Sequence, residues 1–228
     1  MEFETLKAED QEYILPTYGR FNLARDHGQG ALVYDVNGKE YIDMTSGIGV
    51  LSLGQNHPEL TKAISEQAGK LLSVSNLFYT EPAVQAAKLL VKNTGMEKAF
   101  FGNSGAEANE DKYGKDRYKI LTLKNSFHGR TIATLEATGQ DHFHNDFFPF
   151  TDGFDYAQAN NIEDVKAKAD DQTAAIMVEL IQGESGVRPL DEQFVKDLEA
   201  FFKEKDILLI VDEVQTGIGR TGSLFCYQ

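Results

Sequence analysis

The pattern of apolar and polar positions first indicates a β-hairpin. Two alternating segments, Leu32–Val36 and Lys39–Asp43, flank Asn37-Gly38, a dipeptide that favours two positive φ angles in a tight turn. Further along, Pro58 predicts the start of a helix that runs to about Leu72, and Pro82 predicts another that runs to about Lys92.

Short apolar runs then alternate with amphipathic segments of helical length. Strands are predicted over Lys98–Gly102, Lys119–Lys124, Thr173–Leu180 and Ile207–Val214, and a helix over Asp191–Lys205. Apolar strands separated by helices are typical of a parallel sheet covered on both faces. The predicted fold class is therefore α/β, with a doubly wound, mainly parallel sheet. Polar groups at the carboxyl ends of such strands face the ligand crevice.

The first predicted strand leads into a small-residue turn and a helix start at Asn103-Ser104-Gly105-Ala106-Glu107. Backbone N–H groups of Ser104, Gly105 and Ala106, the Ser104 hydroxyl and the positive helix end would together cradle an anion. A helix N-cap that binds no ligand is the alternative interpretation.

Acidic residues follow the last two predicted strands. Asp212 and Glu213 come directly after an apolar run, where a charge needs a cation or a strong donor as its partner. The alternatives are a structural Arg or Lys pair, or the magnesium aspartate of a nucleotide hydrolase, although the sequence lacks the phosphate-binding loop of that class. Glu179 and Glu184 follow the preceding strand, in what could also be a solvated loop.

Phe127, His128 and Arg130 come after the strand at Lys119–Lys124 and combine an aromatic ring, an imidazole and a guanidinium. Taken singly, Phe127 could be a core residue and His128 a structural one. His142 and His144 have no third ligand at helical spacing, so no metal site is predicted. All the strand ends together suit a phosphorylated aromatic cofactor.

Composition narrows the classes of partner. The 228 residues include 22 Lys and Arg against 36 Asp and Glu, and the net charge of −14 disfavours nucleic acid and anionic membranes as partners. No apolar run approaches the roughly 20 residues that span a bilayer, and the acidic N-terminus does not resemble a signal peptide. The single Cys226 cannot form an internal disulfide, so the expected location is a reducing cytoplasm.

These segments, in this order, resemble the class III pyridoxal-phosphate aminotransferases of fold type I. Other matching motifs are Leu15–Tyr18, Gly30–Asp35, Ser46–Val50, Asn56–Pro58 and Asp212–Gly222. The resemblance covers nearly the whole chain and is strongest to the branch that acts on acetylornithine. It implies an amine donor, with ornithine, succinylornithine and 4-aminobutyrate as alternatives, 2-oxoglutarate or glutamate as the second substrate, and a homodimer.

The resemblance also implies site residues. Those for the cofactor are Ser104, Gly105 and Ala106 at the phosphate, Phe127 on the pyridine ring, His128, Asp212 and Gln215. Asp212 is the implied catalytic residue, because it keeps the ring nitrogen protonated, and Gln215 lies near the 3-oxygen. For the substrate, the resemblance implies that Arg130 binds a carboxylate with its two-pronged guanidinium and that Glu179 lines the site. It further implies that Glu184 pairs with a distant arginine and that Ile48 belongs to the pocket wall.

The chain departs from the family pattern in two places. The segment after Glu110 is shorter than in the family, and the Schiff-base lysine and the C-terminal small domain are expected beyond Gln228. The expected organisation is an N-terminal segment with a hairpin over 1–45 and an incomplete cofactor-binding domain over 46–228. We expect this chain alone to be inactive, and a non-catalytic remnant is the alternative hypothesis.

Overall fold

The computed structural model describes residues 2–102 and 117–228. The chain forms two compact units, Met1–Tyr79 and Thr80–Gln228. The predicted phosphate cradle at residues 104–106 lies outside the described residues, and the predicted division after residue 45 stays a prediction. None of the helices in the described ranges is long and apolar enough to cross a membrane.

The first unit contains a small antiparallel sheet and two helices. Its elements are α1 (Phe3–Tyr13), β1 (Arg25–Gln29), β2 (Leu32–Asp35), β3 (Glu40–Ile42) and α2 (Pro58–Ala68). The predicted hairpin is confirmed, with Leu32 opposite Ile42 and Tyr34 opposite Glu40. The helix at Pro58 also forms, but it ends at Ala68 rather than near Leu72.

The turn of this hairpin differs from the prediction. Gly38 has a positive φ of 81°, whereas Asn37 does not. The Asp35 carboxylate instead accepts the backbone N–H groups of Asn37 and Lys39, each at 2.9 Å. Because these two bonds close the turn, it does not need a second positive φ.

The second unit is built on a four-stranded parallel sheet in the order β5-β4-β6-β9. Its strands are β4 (Lys119–Leu123), β5 (Phe154–Ala157), β6 (Thr173–Val178) and β9 (Leu208–Val211), and β7 (Ile181–Gln182) pairs with β8 (Arg188–Pro189) in a separate ribbon. Its helices are α3 (Glu81–Thr94), α4 (Ile132–Ala137), α5 (Ile162–Lys168) and α6 (Glu192–Lys205), and a 3₁₀ turn spans Asp141–His144. The predicted α/β class with a mainly parallel sheet is confirmed.

One predicted strand is wrong, and one strand of the sheet was not predicted. Lys98–Gly102 does not form a strand, and Phe100 and Phe101 are exposed. None of the described strands pairs with this segment, and an apolar run without a neighbouring strand has no ladder to join. Conversely, β5 is a strand that the sequence pattern did not indicate, and it pairs in parallel with β4.

One face of the sheet packs against α5 and α6. The buried residues of this core are Leu121, Leu123, Ala157, Val165, Ile176, Val178, Phe194, Leu198, Phe201 and Phe202. The chain passes from β4 to β5 on one side of the sheet and then returns to β6 and β9 on the other. Because the strand order reverses between β4 and β6, the crevice for a ligand is expected at the carboxyl ends of these strands.

Candidate active site

The loop after β4 is fixed by a close approach of the chain at Gly139. A Cβ atom at this position would lie 2.1 Å from the carbonyl oxygen of Leu123, so only glycine fits. The N–H of Gly139 donates to Oγ of Ser126 at 3.1 Å, and its carbonyl accepts the N–H of Asn125 at 2.8 Å. The segment that starts at residue 139 is therefore anchored on the end of β4.

Asp212 and His128 form a pair at the carboxyl ends of β9 and β4. Nδ1 of His128 lies 2.8 Å from Oδ2 of Asp212, and Oδ1 of Asp212 accepts the N–H of Val214 at 3.0 Å. The His128 side chain is fully buried, and its backbone N–H donates to Oγ1 of Thr138 at 3.0 Å. Because an ionised carboxylate only accepts hydrogen bonds, Nδ1 carries the proton. The partner expected for Asp212 at the end of β9 is thus an imidazole.

The second nitrogen of this imidazole has no partner in the part of the chain that the structure describes. Nε2 of His128 is buried and makes no hydrogen bond with the described residues. A buried polar atom without a partner costs free energy, so such an atom points to a functional constraint or to a missing partner.

Glu179 is buried directly after β6, and its two oxygens bind backbone. Oε2 accepts the N–H of Phe127 at 2.8 Å, and Oε1 accepts the N–H of Gly183 at 3.4 Å. Burial raises the pKa of Glu179 above its ordinary value, while the Phe127 N–H acts in the opposite direction. Glu179 therefore ties the loop after β4 to the loop after β6.

Phe127 lies beside Arg130 and Phe143. The centre of the Arg130 guanidinium is 5.9 Å from the centroid of the Phe127 ring and 5.4 Å from that of Phe143. The two rings meet edge to face, with their centroids 5.5 Å apart. The structure thus brings the predicted aromatic and guanidinium groups together.

Glu184 and Gln215 extend the same region. Nε2 of Gln140 donates to Oε2 of Glu184 at 2.9 Å and to the carbonyl of Ser126 at 3.1 Å. The Gln215 side chain lies over Gly183, where an added Cβ would come within 3.3 Å of it. Both predicted residues therefore lie next to the loops that carry Phe127 and Glu179.

Glu213 has a different role from its neighbour Asp212. Its Oε2 accepts the Thr216 hydroxyl at 2.6 Å and the N–H of Cys226 at 3.0 Å, and its Oε1 accepts the N–H of Tyr227 at 2.9 Å. In the sequence, the two carboxylates are adjacent and follow the same apolar run. The structure separates them, because Glu213 holds the chain that follows β9 while Asp212 faces His128.

The remaining predicted residues lie elsewhere. Ile48 belongs to the first unit, where it is exposed and has a φ of 62°, and its role in a pocket wall stays a prediction. Nε2 of His144 lies 3.0 Å from the carbonyl oxygen of Leu135, and the ring of His142 lies against Phe143.

Sequence reasoning missed Thr138, Gln140 and Phe143 as site residues. Phe143 stands between the two histidines of Asp-His-Phe-His, where the only chemistry considered was metal binding. The one available signal was Gly139, because an isolated glycine can indicate a close approach of the backbone.

The cluster has the chemistry to hold a flat cationic ring and an anion. The Asp212 carboxylate has acceptor capacity beyond its two hydrogen bonds, and the half-buried Phe127 offers a ring surface. Arg130 offers a fork of N–H donors that matches a carboxylate. In the described residues, no group of three ligating side chains is arranged for a metal ion.

Comparison with known proteins agrees with this chemistry. The family model for class III aminotransferases matches residues 13–228. Acetylornithine aminotransferase from Haemophilus ducreyi is 50% identical over 100% of this chain and 61% of its own length, and that from Wolinella succinogenes is 48% identical over 97% and 59%. The chain thus spans about three fifths of the length of these curated relatives.

Solved structures give the same result. Ornithine aminotransferase from Toxoplasma gondii superposes with a TM-score of 0.90 at 31% identity, over 99% of this chain and 56% of that one. N-acetylornithine aminotransferase from Stenotrophomonas maltophilia gives a TM-score of 0.75 at 36% identity, over 96% and 57%. The chain belongs to the class III aminotransferase family.

Proposed function

We propose that the protein carrying this chain transfers the amino group of N-acetylornithine to 2-oxoglutarate, giving N-acetylglutamate semialdehyde and glutamate. The observation that carries the proposal is the partly buried Asp212–His128 pair, which lies at the strand ends next to Phe127. Its choice of substrate rests on relatives named acetylornithine aminotransferase, which reach 42–50% identity with this chain.

The residues present fit pyridoxal phosphate, on which class III aminotransferases depend. Asp212 would accept a hydrogen bond from the protonated ring nitrogen, Phe127 would stack on the ring, and Gln215 would bind near the 3-oxygen. Ser104, Gly105 and Ala106 are proposed for the phosphate. When bound, this cofactor supplies an electron sink for a carbanion at the substrate carbon, and a protonated ring nitrogen strengthens that sink.

The chain's own residues hold and orient this arrangement. Asp212 keeps a proton at the ring nitrogen, and the hydrogen bond from Nδ1 of His128 fixes the orientation of the carboxylate. Glu179 sets the backbone of Phe127, and with it the position of the ring. Both Glu179 oxygens bind backbone, so we assign this residue a positioning role beside the substrate rather than a direct contact with it.

Two residues are proposed for the substrates. Arg130 takes a carboxylate group, which both the donor and 2-oxoglutarate carry. Glu184 is exposed and held by Gln140, and we propose that it exchanges this contact for a distant arginine while the amine donor is bound. A homodimer and a reducing cytoplasmic compartment are also part of the proposal.

Ornithine is the second candidate donor, since the backbone superposes well on an ornithine aminotransferase. The higher sequence identity to acetylornithine enzymes favours the acetylated substrate. Acetylation leaves ornithine with a single primary amine, so the two donors differ in charge at the α-nitrogen.

The test is a donor comparison with the complete gene product, loaded with pyridoxal phosphate. N-acetylornithine, N-succinylornithine, ornithine and 4-aminobutyrate are offered separately with 2-oxoglutarate, and glutamate formation is measured. We expect the highest kcat/KM with N-acetylornithine. A higher value with ornithine would transfer the proposal to the second candidate, and no transfer from any donor would refute it.

A further inference from the structure

Among the residues that the structure describes, the Arg130 guanidinium lies against aromatic rings rather than carboxylates. It lies 5.4 Å from the centroid of Phe143 and 5.9 Å from that of Phe127, within the range of a cation–π interaction. Within residues 2–102 and 117–228, no hydrogen bond or ion pair involves this guanidinium. Its charge is therefore not neutralised by a neighbour in that part of the chain.

Phe143 is itself fixed in place. It lies on the 3₁₀ turn Asp141–His144, and its backbone N–H donates to the carbonyl of Gln140 at 3.0 Å. The His142 ring packs against it at 4.1 Å between centroids, and the edge-to-face contact with Phe127 restrains it further. Gly139 brings this turn onto the end of β4, so the ring stands on a rigid support.

A ring face and a carboxylate hold an arginine in different ways. A carboxylate would occupy the N–H fork and neutralise the charge, so a substrate carboxylate would have to displace it. A ring face attracts the cation electrostatically but accepts no forked pair of hydrogen bonds. An arginine held by rings thus loses mobility before the substrate arrives and keeps its donors.

We propose that Phe143 is a positioning residue for Arg130, which it orders for the capture of a substrate carboxylate. This inference rests on the proposed function, in which Arg130 binds that carboxylate. Phe143 acts through Arg130 and needs no contact with the substrate. Its effect should therefore appear in substrate binding and leave the chemical step unchanged.

The test uses the complete holoenzyme and the variants Phe143→Leu, Phe143→Tyr and Phe143 replaced by a ring-fluorinated phenylalanine. Fluorination preserves the shape of the ring but removes the negative potential of its face. Phe147→Leu is the matched control. Phe147 follows the same 3₁₀ turn by a few residues, is exposed and makes none of the described ring contacts. Kinetics give KM and kcat, and calorimetry gives the Kd of glutarate, a dicarboxylate that cannot react.

We expect Phe143→Leu and the fluorinated ring to raise KM and the glutarate Kd about two- to fivefold, as for the loss of one exposed cation–π contact. Phe143→Tyr keeps an aromatic ring and should leave KM and the glutarate Kd at their wild-type values. In all the Phe143 variants kcat should be unchanged, and Phe147→Leu should behave as the wild type. In an Arg130→Lys background the Phe143 substitutions should add little. If Phe143→Leu does not fold, the fluorinated variant still decides the question.

Three results would overturn the inference. If Arg130→Lys weakens glutarate binding while the fluorinated ring does not, Arg130 binds the carboxylate without help from Phe143, and the proposed function stands. If neither substitution changes binding, the proposed role of Arg130 fails and the inference fails with it. A loss in kcat alone would also contradict a positioning role in binding.

Discussion

The two ends of the same parallel sheet carry similar charged residues in different surroundings. At the amino end, Lys119 pairs with Asp170, and Arg117 donates to the backbone carbonyls of Thr173 and Asp206. Arg117, Asp170 and Thr173 are among the residues that line an open cavity of about 660 Å³. At the carboxyl end, the fully buried His128 side chain binds the Asp212 carboxylate, whose side chain is 14% exposed.

The comparison points to the desolvation of charged side chains, and not to cavity size, as the property that distinguishes the end with the candidate site. Lys119 and Asp170 at the amino end form a partly exposed pair, and such pairs are worth little. Glu179 is buried at the carboxyl end, where its raised pKa reflects that burial. Groups with such perturbed environments cluster at functional sites.

The largest expected effect comes from removing one carboxylate at each end of the sheet and comparing kcat. Asp212→Ala in the complete holoenzyme should lower kcat by about 10² or more, by comparison with the loss of other preorganised electrostatic groups. Asp170→Ala removes a carboxylate from the amino end and should leave kcat unchanged. Steady-state kinetics measure both, and circular dichroism checks that the fold is kept. Similar losses from both variants would refute the functional distinction between the two ends.

Glu179→Gln tests the buried bridge between the loops. An amide has one acceptor oxygen where the carboxylate has two, so the N–H of Phe127 or of Gly183 loses its partner. We expect the free energy of unfolding to fall by about 1–3 kcal/mol, the usual cost of an unpaired buried group. Chemical denaturation measures this, and Glu163→Gln on the exposed face of α5 is the control.

The pH dependence of stability gives a second test of the role of Glu179. The folded-state pKa of Glu179 is above its ordinary value of 4.5, because burial penalises the charged form. The native state therefore binds this proton more readily than the unfolded state, and stability should fall as the pH rises through the window just above 4.5. Glu179→Gln should remove this decline, and an unchanged profile would mean that Glu179 is not its source.

The sequence predicted the carboxyl end better than the rest of the second unit. Apolar runs end just before Glu179 and Asp212, so the strand ends and their acidic residues could be read from the pattern. The partners could not be predicted in this way. The contact between His128 and Asp212 joins residues 84 positions apart, and only the order of the strands brings them together.

The wrong and missing strands have a related explanation. Lys98–Gly102 has the composition of a strand but no described partner, whereas β5 contains only four residues and depends on its pairing with β4. A strand is stabilised by its neighbours more than by its own residues. The position of Phe143 depends on Gly139 and the end of β4, and periodicity carries no information about such contacts.

Arg130→Lys should have a smaller effect than the loss of the Asp212 or the Glu179 carboxylate. One ammonium cannot reproduce a bidentate fork, and it also loses the planar contact with the rings. We expect the KM for 2-oxoglutarate to rise about tenfold, equivalent to about 1.4 kcal/mol, with kcat nearly constant. Arg188→Lys on the exposed β8 is the control. An unchanged KM would show that Arg130 does not bind the carboxylate.

The smallest expected effect belongs to the amino end. Lys119→Met breaks the pair with Asp170, but the Asp170 carboxylate is nearly half exposed, so we expect a loss of stability of at most about 1 kcal/mol and no change in kcat. The hydrogen bond from Asp170 raises the pKa of Lys119, so this contribution is present below the ordinary lysine pKa of 10.5 and is lost as the pH rises through the folded value. Denaturation at neutral pH and above pH 10.5 checks the sign. A fall in kcat comparable to that of Asp212→Ala would mean that the amino end takes part in function. The exposure of its ion pair would then not distinguish this end of the sheet from the end with the candidate site.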